Sequence, residues 1–215
     1  MTEYFFYIIL LLLFCTTCVG FFHWEKLPSF RAKSIVWFLS YTFINELVAL
    51  AFQTFAIEKT IYLYNVYILL SFTYVIWLLS SILRSKKWVI LARFVLIAYP
   101  LFCGVEGFLL KEQFTDTLNY SYALGTISVL ILSSFYLYDL FGEELILVFK
   151  KSIYFWFILG ILLFHVPFLP FIIALDMTLL ENNDFIYNFI LTFLNLLMYG
   201  SISYGFICSI KNYNY

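Results

Sequence analysis

The residues of this sequence able to do chemistry are ionisable and amide side chains set inside long apolar runs. Glu46, His165 and Asn195 each stand near the middle of such a run. At 1.5 Å per helical residue, Glu46 lies about 18 Å and His165 about 20 Å from the basic ends of their runs, and Asn195 about 15 Å from the opposite end of its own. All three therefore fall in one layer. A charge at that depth costs roughly 2.5 to 3.5 kcal/mol, so it must meet a partner or a cavity. Two chemistries fit. One is a knot of interhelical hydrogen bonds, each contributing about 0.6 kcal/mol; the other is a polar-ligand or proton site built on the carboxylate and the imidazole.

Stripes of polar residues extend the layer. Thr42, Glu46, Ala49 and Gln53 recur at helical spacing, as do Asn188, Thr192, Asn195, Tyr199 and Ser203, and such spacing places each set on one helix face. Tyr64, Tyr67, Ser71 and Tyr74 form a third face beside Asn65. The candidate ligand-binding or polar-core set is thus Glu46, His165, Asn195, Asn188, Gln53, Tyr199 and Asn65. Helix glue is the competing role for all of them. Arg93 and Asp139 lie at similar depth near the ends of successive runs, which puts an ion pair within reach, against snorkelling of each to the interface. Glu106, near the far end of the same run as Arg93, is expected at the interface rather than in the central layer. Pro100, Pro167 and Pro170 free backbone carbonyls and invite kinks, and Pro167 follows His165 by two residues.

Several chemistries are disfavoured. The two histidines, His23 and His165, fall short of the three-histidine zinc site of seven-helix membrane hydrolases. Cys15 and Cys18 have CxxC spacing without a second ligand pair, and Cys103 and Cys208 read as packing residues. No lysine stands in the last apolar run for a retinal Schiff base, and no nucleotide loop, nucleophile elbow or internal repeat is visible. No catalytic residue, metal or cofactor is assigned.

The elements that must position these residues follow from composition. Of 215 residues, 64% are hydrophobic and only 12% charged, against about 25% charged in an ordinary soluble domain. A net charge of -1 gives no reason to expect a nucleic-acid partner. Seven runs are long enough to cross a hydrocarbon core: residues 4–22, 34–55, 61–83, 88–110, 120–141, 152–175 and 185–210. The first has no basic flank and is read as a retained helix rather than a secretory signal. Leu145 to Phe149 restart an apolar pattern and are expected in the interface. The expected fold is all-α: a single transmembrane domain over residues 1–215, made of a seven-helix bundle, because lipid-exposed backbone must satisfy its own hydrogen bonds.

Orientation follows from the basic residues. Lys26, Arg31, Lys33, Arg84, Lys86, Lys87, Lys150, Lys151 and Lys211 share one side, Lys59 and Lys111 the other. The first side should be cytoplasmic, with the N-terminus outside and the C-terminus inside. The outer side carries Glu3, Glu58, Glu112, Asp116, Asp176, Glu181 and Asp184, and the five tryptophans all fall toward the inner side, where indoles favour the headgroup zone.

The strings Tyr64-Asn65-Val66-Tyr67, Phe155-Trp156-Phe157-Ile158-Leu159-Gly160 and Leu194-Asn195-Leu196-Leu197-Met198-Tyr199-Gly200 resemble small seven-helix membrane proteins of Bacteroidetes often encoded beside sensor histidine kinases. The resemblance implies a bacterial inner-membrane location and a membrane-bound signalling partner such as a sensor kinase, and supplies no catalytic residues. The expected function is a membrane sensory or accessory subunit that lacks its own output domain. It would bind a small or lipid-soluble cue in the polar seam, with membrane lipids and a signalling protein as partners. A small secondary transporter coupled through Glu46 and His165, and an intramembrane lipid-modifying enzyme using the same pair, are the alternatives. The nine-to-two basic asymmetry predicts that a reporter active only outside the cell is silent when fused after Lys87. Fusions after residues 115 and 180 should report one and the same side; activity on opposite sides would overturn the span count.

Overall fold

A computed structural model describes residues 2–55, 60–110, 114, 116–142, 149–176 and 184–209. Seven helices form: α1 (Thr2–Phe22), α2 (Phe30–Thr54), α3 (Thr60–Ile82), α4 (Lys86–Val105), α5 (Asn119–Phe141), α6 (Ile153–Asp176) and α7 (Asp184–Cys208). No strand occurs among the described residues. Six of the helices are long and apolar enough to cross a membrane, and α6 contributes the apolar stretch Ile153–Leu169. The chain is a multi-pass helical membrane protein. The outward face of α4 supports this: Ile90, Phe94, Ile97 and Leu101 recur at helical spacing and are each at least 66% exposed. Water would oppose such a stripe, whereas acyl chains accept it. Ala92, Tyr99 and Cys103 occupy the opposite, buried face.

The helices match the apolar runs except at one start. α2 begins four residues before its run because Ser29 caps it: Ser29 Oγ accepts from Ala32 N–H at 3.2 Å and Ser29 C=O from Lys33 N–H at 3.0 Å. Phe30 to Lys33 are helical despite their two charges. Phe149 belongs to a 3-10 turn, Phe149–Lys151. The rest of the expected interfacial piece, with Glu58, Lys59, Lys111, Glu112, Glu181 and Lys211, lies outside the described residues, as do the side chains of Glu3, Asp176 and Asp184.

The chain groups into two compact units, Met1–Phe43 with Leu147–Tyr215, and Ile44–Ile146. In the first, α7 packs against both α1 and α6. Close approach of α6 to α7 depends on two glycines: a Cβ at Gly160 would stand 2.8 Å from the Met198 carbonyl oxygen, and one at Gly205 would stand 2.5 Å from Trp156 Cβ. Small residues of this kind let helix backbones meet without a hydrophobic driving force. Thr16 Oγ1, buried on α1, accepts from Ser203 Oγ at 2.9 Å and stands 3.4 Å from the Tyr199 carbonyl of α7. Ser29 Oγ and Tyr154 Oη, 2.6 Å apart, tie the start of α2 to the start of α6.

In the second unit α3 packs on α4 and α5, and α4 on α5. The Phe72 ring sits at their junction, edge-on to Tyr99 of α4 at 5.9 Å and to Tyr122 of α5 at 5.4 Å. Trp88 and Phe135 stack face to face at 3.7 Å between α4 and α5. Gly205→Val should lower the thermal midpoint of the detergent-purified protein, with a destabilisation of about 1 to 3 kcal/mol as expected for overpacking. Gly200→Ala, where a Cβ meets nothing within 4 Å, should leave the midpoint within a degree or two.

Candidate functional site

In an apolar medium every backbone N–H and C=O at a helix end needs an internal partner, and the most ordered polar site in the second unit meets that need at the α4–α5 connection. α5 starts after Leu118, a residue with no side-chain oxygen to cap it. Glu106 supplies the acceptor from another element. Its carboxylate, 0% exposed, accepts from the Tyr120 N–H at 3.0 Å and from both the N–H and the hydroxyl of Ser121. Glu106 is placed for this by a single π-helical turn, Glu106–Leu110, that continues α4 beyond Val105. Such turns insert one residue into the helical repeat and re-aim side chains. Glu106 stands at the end of α4, away from the central layer, and its carboxylate is buried as the N-terminal cap of α5.

Asn65 of α3 completes the connection. Its Nδ2 donates to the Asp116 carbonyl at 2.9 Å and the Phe114 carbonyl at 3.3 Å, while its Oδ1 accepts from Leu118 N–H at 3.2 Å. Phe114 has φ of 69°, left-handed backbone on a bulky residue, which costs on the order of 1 to 3 kcal/mol. Its N–H donates to the Gly107 carbonyl at 3.0 Å, and its ring packs edge-on to Phe108 at 5.1 Å. These bonds and the Asn65 clamp offset the strain.

At the other end of the same pair, Asp139 Oδ2 accepts from the N–H groups of Arg84 at 3.2 Å and Ser85 at 3.4 Å. Ser85, the residue preceding α4, makes no side-chain cap of its own, so Asp139 of α5 fills that role. Arg93 is exposed and lies about 12 Å along α4 from Ser85, so Asp139 meets the turn before α4 rather than Arg93.

An apolar pocket of about 480 Å³ opens on the same unit, lined by Phe52, Tyr62, Leu63 and Val66. Three of its four residues stand on the first two turns of α3, the stretch that also carries Asn65.

The sequence-predicted layer is distributed between the two units. Glu46 belongs to the second, and His165, Asn195, Asn188 and Tyr199 to the first. In the second half of α2 the buried residues are Thr42, Asn45 and Ala49, with Glu46 half-buried and Gln53 exposed; of the expected stripe, Thr42 and Ala49 are buried, and Asn45 joins them in place of Glu46. Asn45 was not singled out from the sequence, and its Nδ2 is buried without a partner. Asn195 and Tyr199 are buried, with Asn195 Nδ2 donating to the Leu191 carbonyl of its own helix at 2.8 Å. On α3, Tyr64, Tyr67, Ser71 and Tyr74 are half-buried, while Asn65 is 3% exposed. Cys15 and Cys18 are both exposed on α1 and Cys103 is buried, against the hydroxyls of Tyr99 and Ser121.

Neither a protein-family model, a curated protein nor a solved structure matches the chain. The arrangement of Glu106, Asn65 and Asp139 can hold helix ends in register. Replacing Asn65 by Leu should destabilise the protein by about 1 to 3 kcal/mol, because two carbonyls and an N–H lose their partner. Glu106→Gln, which trades an acceptor oxygen for a donor, should speed amide exchange at Tyr120 and Ser121. Unchanged exchange at both residues in the Gln variant would refute the capping role.

Proposed function

We propose that the protein is a membrane sensory or accessory subunit that binds a small lipid-soluble cue and acts through a membrane-bound partner. The observation that carries this reading is that pocket and clamp share the first two turns of α3: Tyr62, Leu63 and Val66 line the pocket, and Asn65, turned to the buried side of the same turns, holds the α4–α5 connection. The pocket is an open apolar groove, and its lining has the chemistry of a ligand that partitions from lipid. A ligand wedged against Leu63 and Val66 would shift the Asn65 amide. That amide holds Leu118, the residue before α5, and Asp139 in the last turn of α5 holds the turn before α4. Displacement at one end of the unit would be carried toward the other along α5.

The orientation belongs to the same proposal. With nine basic residues inside and two outside, the N-terminus is outside and the C-terminus cytoplasmic. The pocket, at the corner of α2 and α3, then faces the outer leaflet and Asp139 the cytoplasmic end. All seven helices span, α6 included. The resemblance to proteins encoded beside sensor kinases supports a bacterial inner-membrane location and a kinase as the partner that carries the output.

Affinity purification in mild detergent, with copurifying lipids, small molecules and proteins identified, tests the reading. The wild type should carry an apolar small molecule and a membrane signalling protein. Val66→Trp, at a half-exposed position on the groove, should lose the small molecule while the protein stays folded. Undiminished copurification of the molecule by that variant would place the binding site elsewhere.

A further inference from the structure

The end of the first unit that carries the 3-10 turn Trp24–Lys26 gathers charge and aromatic surface in one place. Lys33 Nζ stands 5.1 Å over the Trp24 ring. Trp24 meets Trp37 edge to face at 5.9 Å and Phe21 in a near-parallel stack at 6.0 Å, and Phe21 and Trp37 close the triangle at 6.2 Å. Lys33 and Trp37 are four residues apart on α2 and so share a face. Trp37 is 58% exposed and Phe21 46%. The result is an open wall of rings with an ammonium group at its head. Lys26 and Arg31 are exposed beside it. The Ser29–Tyr154 bond brings the start of α6 to the same end, and with it Lys150 and Lys151, whose turn is fixed by the Trp156 indole N–H donating to the Lys150 carbonyl at 2.8 Å. Glu25 is the single carboxylate within these two stretches.

We propose that this corner binds one anionic phospholipid, with the phosphate against Lys33 and an acyl chain along Trp37 and Phe21. Charge selects the headgroup. A zwitterionic lipid brings its own cation beside the Lys33 ammonium, whereas an anionic headgroup neutralises it. The exposed rings select lipid over an acidic protein segment, because a soluble polar segment would satisfy the ammonium groups and leave the indole wall uncovered. Indoles at this depth sit where headgroup and acyl chain meet, and the cation–π contact holds Lys33 in the position from which it reaches the phosphate.

The test uses the full chain in mixed micelles doped with brominated phosphatidylglycerol or brominated phosphatidylcholine, read by quenching of tryptophan fluorescence. For the wild type, quenching should saturate at an about fivefold lower mole fraction of the anionic lipid, the ratio expected for one basic contact at the surface. Lys33→Gln should bring the two curves together and Lys33→Arg should keep them apart. The double variant Trp24→Phe with Trp37→Phe provides a readout independent of Lys33: it should lose the saturable component while Trp77, Trp88 and Trp156 still report general lipid contact. Identical wild-type curves for the two lipids, a preference that survives in Lys33→Gln, or a saturable component that survives in the double variant would each overturn the proposal.

Discussion

The crossed capping of α4 and α5 is the contact on which the second unit depends. The end of α4 caps the start of α5 through Glu106, and the end of α5 caps the turn before α4 through Asp139. The two helices are antiparallel, so the caps stand at opposite ends of one interface and together fix its axial register. A slip of one turn, about 5.4 Å, would break both at once. In water a freed amide finds a solvent partner; in hydrocarbon it does not, and each one left open costs several kcal/mol. The Trp88–Phe135 stack and the Phe72 junction pack a pair whose register the caps already define.

The first unit is held by a different means. Its helices approach through absent side chains, at Gly160 and Gly205, and through the small hydroxyls of Thr16 and Ser203. Polar stripes of the α7 kind therefore contribute as glue where a partner is near, as at Ser203. The two units thus join helices by the two devices open to a membrane protein, long-range capping and close backbone contact.

Helix number and boundaries were legible in the sequence because apolar length is a direct consequence of bilayer thickness. The early start of α2 was hidden by Arg31 and Lys33, which an apolar-run criterion rejects, although Ser29 three residues before Ala32 carried the cap signal. The site was less legible. Asn65 was selected, but as one member of a mid-membrane layer, and its partners lie about 50 residues away in a connection without periodicity. Glu106 was passed over because the donors it caps, on Tyr120 and Ser121, are backbone groups that leave no mark on residue type. The clue was indirect: Leu118, an apolar residue in the cap position, leaves the start of α5 in need of an outside acceptor. Asp139 and Arg93 matched in sign and apparent depth, and a backbone partner for Asp139 had no sequence signature.

The order of synthesis gives the Asp139 bond a further meaning. Ile82 ends α3 and Lys86 begins α4, so these two helices emerge from the ribosome as a tight hairpin more than 50 residues before Asp139 exists. Until α5 arrives, the amides of Arg84 and Ser85 must rest in water, which holds the hairpin's tip at the surface. Asp139 replaces that water only when α5 is fully threaded alongside α4. A chain truncated before residue 139 keeps these two amides hydrated, whereas the full chain holds them against the last turn of α5.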